Sequence, residues 1–263
     1  MMKEGDTVEV YVLASGSKGN ITYLKVGHMR FFIDAGISYQ KIKSKMQEYG
    51  ENLFDVKTLL ITHEHHDHIV GLKMLLKQGA IEDVYLTKGT YKKLATDVVE
   101  LFPNTHFIVA DEPFSIGEAN IMPFMLSHDA AEPVGFVISN HVHKMVLLTD
   151  TGYVDQSYFP LLTDADLYIV EANHNPFTLF QSARPFLLKK RIVGEKGHLS
   201  NEDAARLMNQ LIKTKPSIWV VAHISEDCNS IDDIDEAIVK MFDDPTKVTV
   251  LYASQEGLPV IEL

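Results

Sequence analysis

A cluster of metal-binding residue types at the end of an apolar run most constrains what this chain can fold into. Residues 63–68 contain four histidines together with carboxylates, directly after a run typical of a buried strand. The spacing lets a short extended turn aim His63 and His65 at one metal ion, while Asp67 and His68 can aim at a second ion nearby. Imidazole and carboxylate ligands suit zinc first, then iron or manganese. A metal-free surface cluster is the alternative, which is disfavoured because an apolar strand seldom ends in such residues without chemistry to perform.

The rest of the chain alternates short apolar strands with a few amphipathic helices, and no repeat or linker divides it. Strands paired in succession with helices between them, twice over, predict two sheets packed face to face with helices outside, an α/β (α+β) fold forming one domain over residues 1–263. Ser38 and Ser200 are predicted helix caps. The predicted strands are 7–13, 22–26, 29–33, 56–61, 84–86, 106–109, 119–126, 134–139, 144–148, 167–171, 218–222 and 248–253, and the predicted helices are 38–46, 70–77, 201–211 and 231–242.

Composition limits the class of protein further. No apolar run approaches the length of a membrane span, and residues 1–6 lack the core of a signal peptide. Cys228 is the single cysteine, so no internal disulfide forms, and a cytoplasmic location is expected. A role for Cys228 as a metal ligand stays open beside that of a bystander. The net charge of −12 disfavours broad binding of duplex nucleic acid, so a nuclease with this balance must concentrate positive charge near its metals.

The cluster resembles the HxHxDH signature of the metallo-β-lactamase superfamily, and further residues follow in the order which that superfamily requires. His128, Asp150 and His223 each come after a predicted strand. The resemblance implies a four-layer αββα sandwich with two divalent metal ions at one edge. It also implies that three histidines hold one ion, that Asp150 bridges, and that three further residues hold the other ion; the two ligand sets are His63, His65 and His128, and Asp67, His68 and His223.

Motifs outside the ligands are similar to those of the YycJ (WalJ) branch of the superfamily. They run in order through most of the chain: VLASGSKGN (12–20), IDAG (33–36), SHDAAEP (127–133), LTDTGY (148–153), EANH (171–174), GHLSNEDA (197–204) and AHIS (222–225). The resemblance implies a metal-dependent phosphodiesterase acting on single-stranded DNA as a 5′-to-3′ exonuclease. A substitution in the branch pattern, His66 in place of serine, leaves the fold and chemistry intact but leaves substrate choice open.

Phosphodiester hydrolysis needs a proton donor for the departing alkoxide. His198 resembles the histidine that serves this role in RNase Z-like relatives, and Glu171 is expected to orient it, since a carboxylate bonded to one ring nitrogen fixes the tautomer. Asp67 is counted with these two as a catalytic residue. Asp34 is expected to support a ligand histidine from behind.

Candidate substrate contacts are less sharply indicated, and each keeps a structural alternative. Ser15 and Ser17 lie in a turn that is either the rim of the site or a plain hairpin. Asn173 either binds phosphate or caps a turn, and His174 is a substrate ligand or a buried structural histidine. A basic, phenylalanine-containing segment, 181–196, includes Lys189 and Arg191 and suits stacking of unpaired bases. Its alternative is an amphipathic segment with solvated cations.

Three other functions remain open at this stage. A hydrolase of cyclic or other small nucleotides keeps the chemistry and suits an acidic surface better. An acyl hydrolase of the β-lactamase or thioesterase kind is disfavoured by His198, Glu171 and the inclusion of Asp67 among the ligands. A binding protein without metals is disfavoured because every ligand position carries a suitable residue. The physiological metal and the formation of a homo-oligomer stay undecided.

Overall fold

The computed structural model describes residues 6–263, so the expectation about the first residues of the chain falls, except at Asp6, outside the described residues. Two seven-stranded mixed sheets dominate the structure, in the orders β14-β1-β2-β3-β4-β5-β6 and β13-β12-β11-β10-β9-β8-β7. The first contains β1 (Val8–Ala14), β2 (Ile21–Val26), β3 (Met29–Ile33), β4 (Thr58–Leu60), β5 (Asp83–Thr87), β6 (Asn104–Ile108) and β14 (Ile261–Glu262). The second contains β7 (Phe114–Ile116), β8 (Ala119–Met125), β9 (Val134–Ser139), β10 (Lys144–Leu148), β11 (Leu167–Glu171), β12 (Ser217–Ala222) and β13 (Val248–Tyr252).

Each sheet has an antiparallel part and a parallel part. In the first sheet β1, β2 and β3 form an antiparallel meander, and β3 to β6 run parallel. In the second, β7 to β10 are antiparallel and β10 to β13 are parallel. Parallel neighbours need crossover connections, and the carboxyl ends of such strands carry the loops that build sites.

The described chain contains ten α-helices. They are α1 (Tyr39–Glu48), α2 (His66–Ile69), α3 (Leu72–Lys77), α4 (Lys88–Lys93), α5 (Thr96–Val99), α6 (Phe159–Leu162), α7 (Pro176–Gln181), α8 (Phe186–Ile192), α9 (Asn201–Leu211) and α10 (Ile231–Met241). Ser38 and Ser200 cap α1 and α9 as predicted, because each hydroxyl accepts the backbone N–H three residues on.

Three apolar layers hold these elements together, as the period-two alternation of strand side chains requires. One layer lies between the sheets and contains Val10 and Phe136. A second packs alternate side chains of the first sheet, such as Tyr23, against α1 and α3. A third packs the second sheet, including the fully buried Trp219, against α9 and α10. The four-layer αββα sandwich predicted from the sequence is therefore confirmed.

One expectation about local structure was wrong in detail, and a strand was missed. The predicted helix at 70–77 is broken at Gly71, where a Cβ would meet the Ile37 carbonyl oxygen at 2.4 Å, and a separate helix already begins at His66. A short strand, β14, was not predicted; it pairs with β1 and completes the first sheet. Within residues 6–263 no helix combines the length and apolar character that crossing a membrane requires.

Candidate metal centre

The predicted ligands converge at one edge of the sandwich, where strands of both sheets end. His63 follows β4, His128 follows β8, Asp150 follows β10 and His223 follows β12. Asp150 and His223 adopt left-handed backbone conformations, with φ of 61° and 50°, as does Asp34 after β3 with φ of 61°. Non-glycine residues rarely adopt such angles, and they concentrate where a chain must turn sharply to aim a side chain.

The first group of donors contains His63, His65 and His128, whose ligand atoms lie within 4.8 Å of one another. His65 Nδ1 faces His128 Nε2 at 3.1 Å. His63 Nε2 is buried and has no hydrogen-bond partner in the described chain. Buried nitrogens are almost always paired in folded proteins, so an unpartnered imidazole nitrogen among converging histidines fits a bound cation.

The second group contains Asp67, His68, Asp150 and His223, again with donor atoms within 4.8 Å. The Asp150 carboxylate lies between the histidines, with Oδ2 at 3.2 Å from His68 Nε2 and Oδ1 at 3.4 Å from His223 Nε2. The same Oδ1 is 4.0 Å from His128 Nε2 in the first group. Asp150 is therefore the one carboxylate within reach of both groups in the described chain.

Residues behind the cluster fix the orientation of the imidazoles. Asp34 Oδ2 accepts a hydrogen bond from His68 Nδ1 at 2.7 Å, as predicted, and Asp34 Oδ1 accepts from the Thr62 backbone at 2.8 Å. The Gly197 carbonyl lies 3.3 Å from His128 Nδ1. Asn173 Nδ2 donates to the His223 carbonyl at 2.8 Å. Such bonds leave the Nε2 atoms of His68 and His128 as the nitrogens that face the site.

The charges of the cluster also match a cation site. Burial, helped by the charge of His68, lowers the pKa of His63 well below its usual value. Burial alone would lower the pKa of His223, but Asp150 and other carboxylates outweigh it and raise the pKa to about 10. The pKa of His68 is likewise raised well above its usual value, because Asp34 and Asp150 outweigh the effect of burial. In the absence of a metal, buried carboxylates therefore hold protons on imidazoles that a metal would displace.

The donor set fits two divalent cations. His63 Nε2, His223 Nε2 and Asp150 Oδ2 are buried without a hydrogen-bond partner among residues 6–263. Each such atom costs free energy on burial unless a ligand satisfies it. Imidazole and carboxylate donors suit zinc, manganese and iron alike, so the residues indicate divalent metal binding without choosing the metal.

Glu171 and His198 form a hydrogen-bonded pair that lies against the second group of donors. Glu171 is fully buried, and its Oε2 accepts a hydrogen bond from His198 Nδ1 at 2.9 Å. Burial alone would raise the pKa of Glu171, but the charge and hydrogen bond of His198 outweigh it and lower the pKa to about 2. The His198 ring stacks on that of His223 with centroids 5.0 Å apart. Glu171 also accepts the Thr151 backbone N–H at 2.7 Å, which holds the carboxylate in place.

A cleft opens at the proposed metal ligands and is lined by His65, Asp67, His128, Asp150 and His223 among others. Not all of the predicted substrate residues line it. Ser17 is exposed and lines it, whereas Ser15 is buried and its hydroxyl accepts the His223 backbone N–H at 2.8 Å. Asn173 is buried behind His223, with Nδ2 at 3.0 Å from His223 Nδ1. His174 is buried away from the lining residues, and burial lowers its pKa to about 4. Ser15 and Asn173 therefore both support His223, a proposed metal ligand.

Lys189 and Arg191, the two basic residues predicted to contact substrate, also have different surroundings. Lys189 is buried, and its ammonium donates to the carbonyls of Phe180 at 2.7 Å and Ser182 at 2.6 Å, so it does not line the cleft. Arg191 lines the cleft and binds both carboxylate oxygens of Asp129 at 2.5 and 3.0 Å. The structure thus brings Arg191, but not Lys189, to the metal centre.

Thr62 was not assigned a role from the sequence, whereas Asn20 and Arg184 belong to the turn and the basic segment singled out there. Thr62 Oγ1 lies 3.0 Å from His63 Nδ1 and donates to Asp34 Oδ2 at 2.8 Å. Asn20 Nδ2 lies 3.3 Å from His68 Nε2. Arg184 lines the cleft, whose volume is about 220 Å³. The position of Thr62 between the strand and the histidine cluster was the available signal for its role.

Comparison with known proteins agrees with this geometry. A sequence profile described as the β-lactamase superfamily domain matches residues 29–224. The exodeoxyribonuclease YycJ of Bacillus anthracis is 33% identical over 219 residues, covering 83% of this chain and 83% of the relative. The exodeoxyribonuclease WalJ of Streptococcus pneumoniae is 34% identical over 221 residues, covering 83% of this chain and 82% of the relative.

The fold and the donor cluster define a metal-dependent hydrolase of the metallo-β-lactamase kind. The chain belongs to the β-lactamase superfamily and, within it, to the family of the YycJ and WalJ exodeoxyribonucleases. The predicted family is thereby confirmed.

Solved structures of similar fold extend over almost the whole chain. The metallo-β-lactamase fold protein YhfI of Bacillus subtilis superposes with a TM-score of 0.73 at 18% identity, covering 97% of this chain and 99% of that protein. The short form of human tRNase Z gives a TM-score of 0.66 at 18% identity, covering 96% and 98%. At such low identity these likenesses concern the fold alone.

Proposed function

We propose that the protein is a dinuclear phosphodiesterase that degrades single-stranded DNA from the 5′ end towards the 3′ end. The observation that carries this proposal is the buried Glu171 carboxylate bonded to His198 directly beside the seven donors. A hydrolase that cleaves a phosphodiester must protonate a poor alkoxide leaving group, and a histidine held by a buried carboxylate can supply that proton. The names of relatives that match 83% of the chain support DNA as the substrate.

In this proposal two divalent ions, most simply zinc, are held by the two groups of donors. His63, His65 and His128 hold one ion, and Asp67, His68 and His223 hold the other, with Asp150 between them. When bound, such ions lower the pKa of a coordinated water and neutralise charge on phosphoryl oxygens. Manganese and iron fit the same donors.

His198 and Glu171 then act as a proton donor and the residue that positions it. An ionised carboxylate can only accept hydrogen bonds, so Nδ1 of His198 carries the proton that bonds to Glu171. Nε2 of His198 has no hydrogen-bond partner in the described chain and can carry the proton for the leaving oxygen. Glu171 stays anionic at neutral pH, since its pKa is lowered to about 2, and so stabilises the charged imidazole.

Asp67 contributes to the same chemistry from the second group. Its Oδ2 lies 3.6 Å from His223 Nε2. Burial alone would raise the pKa of Asp67, but contact with His223 and the charge of His68 outweigh it and lower the pKa. Asp67 is therefore an anionic donor that helps to line the cleft.

The segment that flanks the cleft supports a single-stranded substrate. Helices α7 and α8, Pro176–Ile192, expose Phe177, Phe180 and Phe186 with exposed fractions of 71%, 50% and 69%. Arg191, also in this segment, lines the cleft. Aromatic faces beside cations stack unpaired bases without regard to sequence, whereas a duplex hides those faces. Arg184 and Arg191 of this segment bring positive charge to the cleft, which a polyanion needs against the net charge of −12.

A small nucleotide is the second candidate substrate. The net charge of −12 and the metal cleft of about 220 Å³ both favour a compact nucleotide over a long polyanion. A cyclic nucleotide would use the same donors and the same His198–Glu171 pair, so the reaction alone does not separate the two candidates.

One experiment separates them. Single strands labelled at the 5′ or the 3′ end, the matching duplexes and cyclic mononucleotides are incubated with metal-loaded protein. We expect single strands to lose nucleotides stepwise from the 5′ end, and duplexes and cyclic nucleotides to react more slowly. Stepwise loss from the 3′ end would contradict the polarity, and faster hydrolysis of cyclic nucleotides would favour the second candidate.

A further inference from the structure

A second cavity opens beside the metal centre, and no role has been assigned to it so far. Its volume is about 430 Å³, roughly twice that of the metal cleft. The loop after β8 and residues 153–158 form its walls, and His128 and Lys196 line both the cavity and the cleft. A molecule whose phosphate lies at the proposed metal ligands can therefore extend into this cavity.

The walls of the cavity offer an aromatic ring and hydrogen-bonding groups. Tyr153 is 48% exposed, and its ring stacks on no other ring and its hydroxyl makes no hydrogen bond among residues 6–263. Asp155 also lines the cavity; hydrogen bonds from Ser157 lower the pKa of Asp155, which is therefore anionic at neutral pH. Met125 and Pro133 supply apolar surface. A mixed lining of this volume is typical of small-molecule sites.

The distribution of charge selects which part of a substrate fits. Lys196 is the one lysine or arginine among the described residues that line the cavity, and it also lines the cleft. Asp155 lines the cavity but not the cleft, and it would repel a phosphate placed on its side of the cavity. The negatively charged part of a ligand therefore belongs beside Lys196, and an uncharged aromatic part belongs beside Tyr153, whose exposed ring can stack on it.

We propose that this cavity binds the nucleoside attached to the phosphate that is cleaved. The proposal rests on the phosphodiester hydrolysis proposed above and adds a place for the base and sugar. The substrate would then lie across the centre, with one nucleoside against Tyr153 and the rest of the strand towards α7 and α8. The same subsite would serve a strand or a small nucleotide, because both carry a nucleoside on that phosphate.

The test compares two substrates with the same leaving group. Thymidine p-nitrophenyl phosphate, as its 5′ and its 3′ ester, carries a nucleoside, and methyl p-nitrophenyl phosphate does not. The ratio of their kcat/KM values measures the contribution of the nucleoside. We expect Tyr153→Ala to lower that ratio about tenfold for at least one of the esters, the loss typical of one stacked base, and Tyr153→Phe to preserve it.

Phe54→Ala is the matched control, since Phe54 is 43% exposed and does not line either cavity. Melting temperatures show whether each variant is folded. An unchanged ratio for both esters in a folded, active Tyr153→Ala protein would overturn the nucleoside subsite while leaving the phosphodiesterase intact. Failure of the metal-loaded wild-type protein to hydrolyse any of the esters would instead overturn the proposed function itself.

Discussion

The metal cluster and the segment α7–α8 lie side by side and are built in opposite ways. The cluster is formed by side chains at strand ends, most of them buried, with donor atoms that lack hydrogen-bond partners in the described chain. The segment consists of helices of six and seven residues that expose Phe177, Phe186 and Leu187 to solvent. Buried ligand atoms without a hydrogen-bond partner indicate a small metal ion. Exposed aromatic rings beside basic side chains indicate a larger, flexible partner.

The difference shows which side-chain roles follow from local sequence. A residue just after a strand has its place set by the hydrogen bonds of the sheet, so Asp150 and His223 could be placed from their motifs. A cation on a short helix is free to turn towards any nearby carbonyl. Lys189 does so, and its ammonium stabilises the end of α7 instead of facing substrate.

The largest expected effect comes from the carboxylate within reach of both donor groups. Asp150→Asn keeps the left-handed backbone, which asparagine tolerates. It replaces one carboxylate oxygen with an amide nitrogen and removes the negative charge. We expect kcat/KM to fall by about three orders of magnitude or more, because metal-assisted hydrolysis depends on both ions. Asp164→Asn is the control, since Asp164 has φ of 54° and lies on a remote loop. Comparable activity of the two variants on a phosphodiester would refute the role of Asp150.

A somewhat smaller loss is expected from the proton donor. His198→Asn keeps a donor for Glu171 and removes the proton for the leaving group. We expect the rate on DNA to fall by about two to four orders of magnitude, as is typical of general acids. The rate on a p-nitrophenyl ester should fall far less, since that leaving group departs without a proton. Equal losses on both substrates, or loss of bound metal, would show that His198 is not the general acid.

Metal binding should depend on pH in a direction set by the pKa values of the cluster. Without metal, His223 has a pKa of about 10 and His68 a pKa well above its usual value, so both are protonated at neutral pH. A metal binds neutral imidazole, so binding releases about two protons, and affinity falls about a hundredfold for each pH unit of acidification. Calorimetry in buffers of different ionisation enthalpy measures the number of protons released on metal binding. Release of no protons at neutral pH would contradict this.

The smallest effect should come from the segment α7–α8. Replacing Phe177 and Phe186 with alanine is expected to raise KM for single strands about tenfold, the loss of one or two stacked bases. Val239→Ala, a change at a side chain that is 75% exposed on α10, is the control. Gel filtration follows the oligomeric state at the same time. An unchanged KM together with a loss of dimer would mean that the exposed rings bind a second copy of the chain.

The fold and the donor groups could be predicted because both depend on short sequence patterns. Alternating strands gave the two sheets, and the motifs ending them gave the seven donors that now lie together. Roles that depend on distant contacts could not be predicted. The Ser15 hydroxyl accepts a bond from the backbone of His223, 208 residues away, and no local pattern indicates that pairing. Helices α7 and α8 and the two-residue strand β14 were too short to give a periodic signal.

The central claim is that seven side chains, brought together at one edge of the two sheets, hold two divalent ions. Elemental analysis of the purified protein, after reconstitution and removal of loosely bound metal, tests it most directly. We expect about two equivalents of zinc, manganese or iron per chain, and about one or fewer in His65→Ala combined with Asp67→Ala, which removes one donor from each group. Less than one equivalent in the wild-type protein would contradict the assignment of the site and the hydrolysis that depends on it.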